Sequence, residues 1–127
     1  MKECVIVVTG DVEHLGELLK VLASMPYKVA ECESCSNLQI LISDSGASAV
    51  ILDLDSVPVD NRCLKRLKTE NPRIPMLTVS SRKVHPELRE SISSYILARL
   101  GIPIDAEELE FWLRSIMHDS HAKGPAP

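Results

Sequence analysis

Two carboxylates, Asp53 and Asp55, stand one residue apart at the end of the apolar run Ala49-Val50-Ile51-Leu52. A short apolar run of this kind reads as a strand buried on both faces of a parallel sheet. In open parallel sheets, ligands are met outside the carboxyl ends of the strands, so acids placed there are positioned for chemistry. Asp53, still inside the run, is read as the site position and Asp55 as a surface residue. A second constellation is Cys32-Glu33-Ser34-Cys35, because a C-x-x-C pair just before a helix can run thiol redox chemistry or supply half a zinc site. No second C-x-x-C or Cys/His pair stands at a distance that would complete such a site. The remaining thiols, Cys4 and Cys63, are scattered and read as core residues, and His14, His85, His118 and His121 show no metal-ligand spacing. There is no nucleophile-base pairing and no phosphate-cradling Gly-rich loop, so the sequence points away from an enzyme.

The elements that must position these residues alternate along the chain. Cys4-Val5-Ile6-Val7-Val8 is β-branched and apolar, and Asp11 after Thr9-Gly10 suits a helix N-cap. Leu15, Leu18, Leu19 and Leu22 then share one helical face. Residues 27–32 alternate as a second strand, and a short helix carrying Leu38, Leu41 and Ile42 ends at Ser45-Gly46. After the central run, Val57-Pro58-Val59-Asp60-Asn61 is turn chemistry, and Leu64 and Leu67 mark a third helix with basic residues on its open face. Residues 76–79 predict a fourth strand that leads to Ser80, and Pro86 suits the first turn of a helix containing Leu88 and Ile92. Residues 95–98 predict a fifth strand, and Asp105 opens a helix whose apolar face is Leu109, Trp112, Leu113 and Ile116.

This is βα repeated five times, which predicts an α/β domain with a parallel sheet covered on both faces and right-handed crossovers. The simplest arrangement is the flavodoxin-like, doubly wound order 2-1-3-4-5. At 127 residues, the chain is one domain, large enough to bury a core without disulfides. Aromatic residues make up only 3%, so that core is built from Val, Ile, Leu and Ala. A net charge of −4 gives no electrostatic reason to expect nucleic acid or an anionic membrane as partner. No segment approaches the roughly 18 apolar residues of a membrane span, and a cytoplasmic location is expected. The last residues, 119–127, have the composition of a flexible linker or tail, leaving 1–118 as the folded domain.

Tyr27-Lys28-Val29 with Glu33-Ser34, Val50-Ile51-Leu52-Asp53-Leu54, Pro58 with Asp60-Asn61, Asn71-Pro72-Arg73-Ile74-Pro75, and Asp105-Ala106-Glu107-Glu108-Leu109 form an ordered series. In order and spacing, the series resembles the receiver domain of bacterial two-component response regulators, over the chain up to about Met117. The resemblance implies that Asp53 is the phospho-acceptor position, served by a sensor histidine kinase. A carboxylate nucleophile facing a phospho-donor needs a divalent cation such as Mg²⁺ held by oxygen ligands. The family supplies two acids for it at the end of strand one. Here Thr9 and Gly10 stand in their place, with Asp11 next to them as helix cap or substitute acidic ligand.

Ser80 matches the family's small hydroxyl residue at the end of strand four. Where the family carries Lys-Pro after strand five, this chain reads Ala98-Arg99-Leu100-Gly101-Ile102-Pro103. That leaves Arg99 as the candidate phosphate-contacting cation, although its broad planar fork differs from a lysine ammonium. The turn after Asp53 is also one residue longer than usual. These departures predict a degenerate receiver that acts by binding a signalling protein. The alternatives are a working phospho-acceptor with an altered pocket and a C-x-x-C redox or metal module. Family members commonly dimerise through helix four, strand five and helix five. Phe111, beside the buried stripe of the last helix, is accordingly the candidate anchor of a homodimer.

Overall fold

A computed structural model describes residues 3–122. Five strands, β1 (Cys4–Val8), β2 (Lys28–Cys32), β3 (Ala49–Asp53), β4 (Met76–Ser80) and β5 (Ile96–Gly101), alternate with five helices. The helices are α1 (Val12–Leu22), α2 (Leu38–Ser45), α3 (Asn61–Glu70), α4 (Arg89–Tyr95) and α5 (Ala106–Ala122). All the strands pair in parallel, in the order β2-β1-β3-β4-β5. The expected fold and strand order are therefore the ones observed.

The three inner strands are buried along their whole length because both of their faces are covered, and successive side chains enter alternate cores. Val5, Val7, Ala49, Ile51, Leu77 and Val79 pack with Leu18 and Leu22 of α1 and Leu109, Leu113 and Ile116 of α5. Ile6, Val8, Val50, Leu52 and Met76 pack on the other side with Leu38 and Ile42 of α2, Leu64 and Leu67 of α3, and Leu88. Each core is almost wholly aliphatic, as the scarcity of aromatics requires.

Local chemistry fixes the helix ends. Asp11 caps α1 by accepting from the N–H groups of Glu13 and His14, at 2.8 and 3.0 Å, which satisfies donors that have no intrahelical partner. Asp60 does the same for α3 through the N–H of Cys63, at 2.8 Å. Gly46 closes α2 in the left-handed conformation, φ 64°, which glycine adopts without steric cost.

Strand β5 is longer than the sequence pattern suggests. It begins at Ile96 and its pairing with β4 continues to Ser80↔Gly101, because an edge strand gains ladder bonds along the whole length of its neighbour. Helix α5 reaches Ala122 and so includes the first residues of the stretch read from composition as a tail; 123–127 lie outside the described residues.

Candidate functional site

The order of the strands puts β3 in the middle of the sheet, so its last residue, Asp53, emerges between the ends of β1 and β4. Asp53 is fully buried. A buried carboxylate is costly unless donors surround it, and Asp53 is densely supplied. Its Oδ2 accepts hydrogen bonds from Thr9 Oγ1, Ser56 Oγ and His14 Nδ1, each at 2.8 Å. Its Oδ1 accepts from the N–H of Asp55 at 3.0 Å. Thr9 stands immediately after β1, level with the β3 terminus, and Ser56 lies in the turn that follows β3. Ser56 Oγ also accepts from the N–H of Gly10 at 2.9 Å, so the loops after β1 and β3 are fastened over the carboxylate.

His14 is the residue that the sequence reading missed. It lies in the first turn of α1, where its own N–H is one of the two capped by Asp11. The imidazole is held above its ordinary pKa first by the hydrogen bond to Asp53. Burial opposes this, and the charges of Asp53, Asp11 and Asp55 add to it. A signal was present in the sequence. His14 precedes Leu18 and Leu22, both buried, by four and eight residues, and helical neighbours at that spacing share a face.

Asp55 is exposed, yet it is not an idle surface acid. Its Oδ1 accepts from Ser80 Oγ at 2.9 Å and from the N–H of Ser81 at 3.1 Å, and its Oδ2 accepts from the same N–H at 3.0 Å. Desolvation pushes its pKa up, but the bonds from Ser81 and Ser80 and the charge of His14 together hold it below the usual range. Ser80 Oγ is also 2.7 Å from His85 Nε2 and accepts from the N–H of Arg82 at 3.0 Å. With its only proton given to Asp55, its lone pairs receive His85 and Arg82, and the hydroxyl is saturated. His85 is buried, and its Nδ1 lies 3.6 Å from Glu87 Oε1. Neither His85 nor this relay was legible in the sequence spacing.

The structure thus brings Asp53, Thr9, Ser56 and His14 into one cluster and Asp55, Ser80 and His85 into an adjoining one. Asp11 stands beside the first cluster as a cap, its Oδ2 3.9 Å from His14 Nδ1. Arg99 is outside both. It is exposed and pairs with Thr78 inside β5, two residues short of Gly101, which stands level with Ser80. Among the described residues the Arg99 side chain makes no hydrogen bond or ion pair. Phe111 is 60% exposed on α5 and meets Trp112 edge to face, centroids 5.3 Å apart.

One ligand atom each from His14, Asp53 and Asp55 lie within 4.8 Å of one another. This mixed set does not fit Mg²⁺, which takes oxygen ligands in a near-octahedral shell. An imidazole occupies the approach to Asp53, and three donors already engage the oxygen that a cation would need. The thiols are separate from this site. Cys32 Sγ donates to the Ser34 carbonyl at 2.8 Å, and burial pushes the Cys35 thiol up to about 12.

No protein-family model matches the chain, and no curated protein matches it. Solved structures do. A signal receiver domain of an HD domain-containing protein from Pseudomonas fluorescens superposes with a TM-score of 0.83 at 18% identity, covering 97% of this chain and all of that one. A CheY-like response regulator receiver domain from Methanospirillum hungatei gives 0.82 at 13% identity, over 98% of this chain and all of the other. A third, from Methylobacillus flagellatus, gives 0.76 at 21% identity, over 91% and 99%. The fold is that of response regulator receiver domains.

Proposed function

We propose that the chain is a receiver-type signalling module whose phosphorylation pocket has been replaced by an internal ion pair, and that it works by binding another protein. The observation that carries this reading is the 2.8 Å contact between His14 Nδ1 and Asp53 Oδ2, with Thr9 donating to the same oxygen. A phospho-acceptor carboxylate needs a free lone pair and a cation that draws in the incoming phosphoryl group. In this pocket the compensating charge is an imidazolium, and it is spent on the nucleophile itself. Arg99 does not reach the pocket, and Ile102 occupies the position before Pro103, so no lysine-like cation awaits the phosphoryl oxygens.

The partner is another signalling protein, a sensor histidine kinase or a component of the same relay, met without phosphoryl transfer. The exposed ring of Phe111 on α5 and exposed Leu97 on β5 support a second copy of the chain as a further partner on that face.

Intact-mass measurement after incubation with acetyl phosphate and Mg²⁺ tests the proposal. The expected spectrum shows the unmodified mass. Stoichiometric phosphorylation that disappears in Asp53→Asn would overturn the reading and make the chain a working phospho-acceptor.

A further inference from the structure

The imidazole that closes the Asp53 pocket to a hard cation is a ligand that a borderline cation prefers. His14, Asp53 and Asp55 each offer one ligand atom, and the three atoms lie within 4.8 Å of one another. One of them is nitrogen. Imidazole and carboxylate together suit Zn²⁺, whereas Mg²⁺ takes oxygen ligands.

We propose that His14, Asp53 and Asp55 form a binding site for a borderline divalent transition ion such as Zn²⁺, with a fourth position left to water. The inference rests on the paired His14–Asp53 pocket proposed above and names an ion which that pocket accepts. In a tetrahedral zinc site with bonds of about 2.0–2.2 Å, neighbouring ligand atoms stand about 3.3 Å apart. His14 Nδ1 and Asp53 Oδ2 are 2.8 Å apart, so an ion exchanged for the proton between them opens the contact by about half an ångström. The proton leaves to water, and the neutral imidazole presents its lone pair to the ion.

Asp55 completes the set from the turn after β3, where its side chain is exposed and can rotate. Its Oδ1 accepts from Ser80 Oγ and the Ser81 N–H, and its Oδ2 accepts only from that same N–H. Turning Oδ2 to the ion therefore leaves no donor unpaired. Metal ligands are held by partners of their own, and here the partners are in place. Thr9 and Ser56 hydroxyls hold Asp53 Oδ2, the Asp55 N–H holds Oδ1, and Ser80 and Ser81 hold Asp55. Two carboxylates and a neutral imidazole around a doubly charged ion sum to no net charge, which suits the full burial of Asp53.

Isothermal titration calorimetry of the untagged full chain, stripped with EDTA and dialysed, tests the site with Zn²⁺ alone and with Mg²⁺ alone. The expected result is one Zn²⁺ per chain and no binding of millimolar Mg²⁺. His14→Gln is expected to weaken Zn²⁺ binding roughly tenfold or more, since loss of an outer-shell partner already costs that much. Cys32→Ser leaves the binding unchanged. On the wild type, Zn²⁺ shifts the ring nitrogens of His14 in long-range ¹H–¹⁵N spectra, a readout that does not depend on a variant folding. No Zn²⁺ binding, binding unchanged in His14→Gln, binding lost in Cys32→Ser, or shifts at His118 or His121 in place of His14 would each overturn the site. A chain that takes neither Zn²⁺ nor phosphate overturns the zinc site alone, whereas phosphorylation of Asp53 overturns the function proposed above.

Discussion

His14 Nδ1 and Asp53 Oδ2 lie 2.8 Å apart although 39 residues separate them in the chain. The contact joins the first turn of α1 to the end of the central strand, and in the function proposed above it makes the buried acid half of an ion pair. Truncating one partner of such a pair costs more than the pair contributes, because the other charge is left buried.

His14→Ala is expected to lower stability by about 1–3 kcal/mol under acidic conditions, the cost of leaving a buried acceptor short of a donor. Because the folded-state pKa of His14 is raised above 6.5, its contribution is complete below that value. It is lost as pH rises through the folded pKa. Urea midpoints of wild type and variant should therefore converge as pH rises above 6.5 and through the raised folded-state pKa. A gap that widens with pH would show that the imidazole is not paired with Asp53.

Thr9→Asp restores an acid beside Asp53 in place of a hydroxyl donor. Two carboxylates in one dry pocket repel each other, so the thermal midpoint should fall in EDTA and recover in part when Mg²⁺ is added. The wild-type midpoint should be indifferent to Mg²⁺. A wild type that gains stability with millimolar Mg²⁺ would mean that the natural pocket takes the cation.

Phe111→Ala is expected to weaken self-association by about 2 kcal/mol, roughly thirtyfold in Kd, which is the scale of an aromatic anchor. Sedimentation velocity across a concentration series reads this directly. A strictly monomeric wild type, or a dimer unmoved by the substitution, removes Phe111 as the anchor.

The fold was legible because β1 and β3 are apolar runs, β4 is interrupted only by Thr78 before its terminal Ser80, and the helix caps at Asp11 and Asp105 are local signals. Asp53 was legible for the same reason, as the polar end of such a run. What could not be read was its company. Thr9 and Ser56 reach it from two separate loops and His14 from the first turn of α1, and a reading that follows one strand or helix at a time does not bring them together. Asp55 was read as surface because the strand and the landmark spacing agreed on Asp53; it is exposed, yet it receives donors from Ser80 and Ser81. Arg99 was put forward because the strand was taken to stop at Ala98. Three further residues of ladder carry the strand edge beyond it.

The saturated hydroxyl of Ser80 has a consequence for motion. Its bonds to Asp55, His85 and Arg82, with the paired hold of Asp55 on Ser81, lash the irregular segment after β4 to the segment after β3. Side chains are here doing for two loops what a ladder does for strands, so the amide proton of Ser81, held by Asp55, is expected to exchange only when the two loops part. The two loops at the rim of the sheet are thereby held to each other by side chains alone.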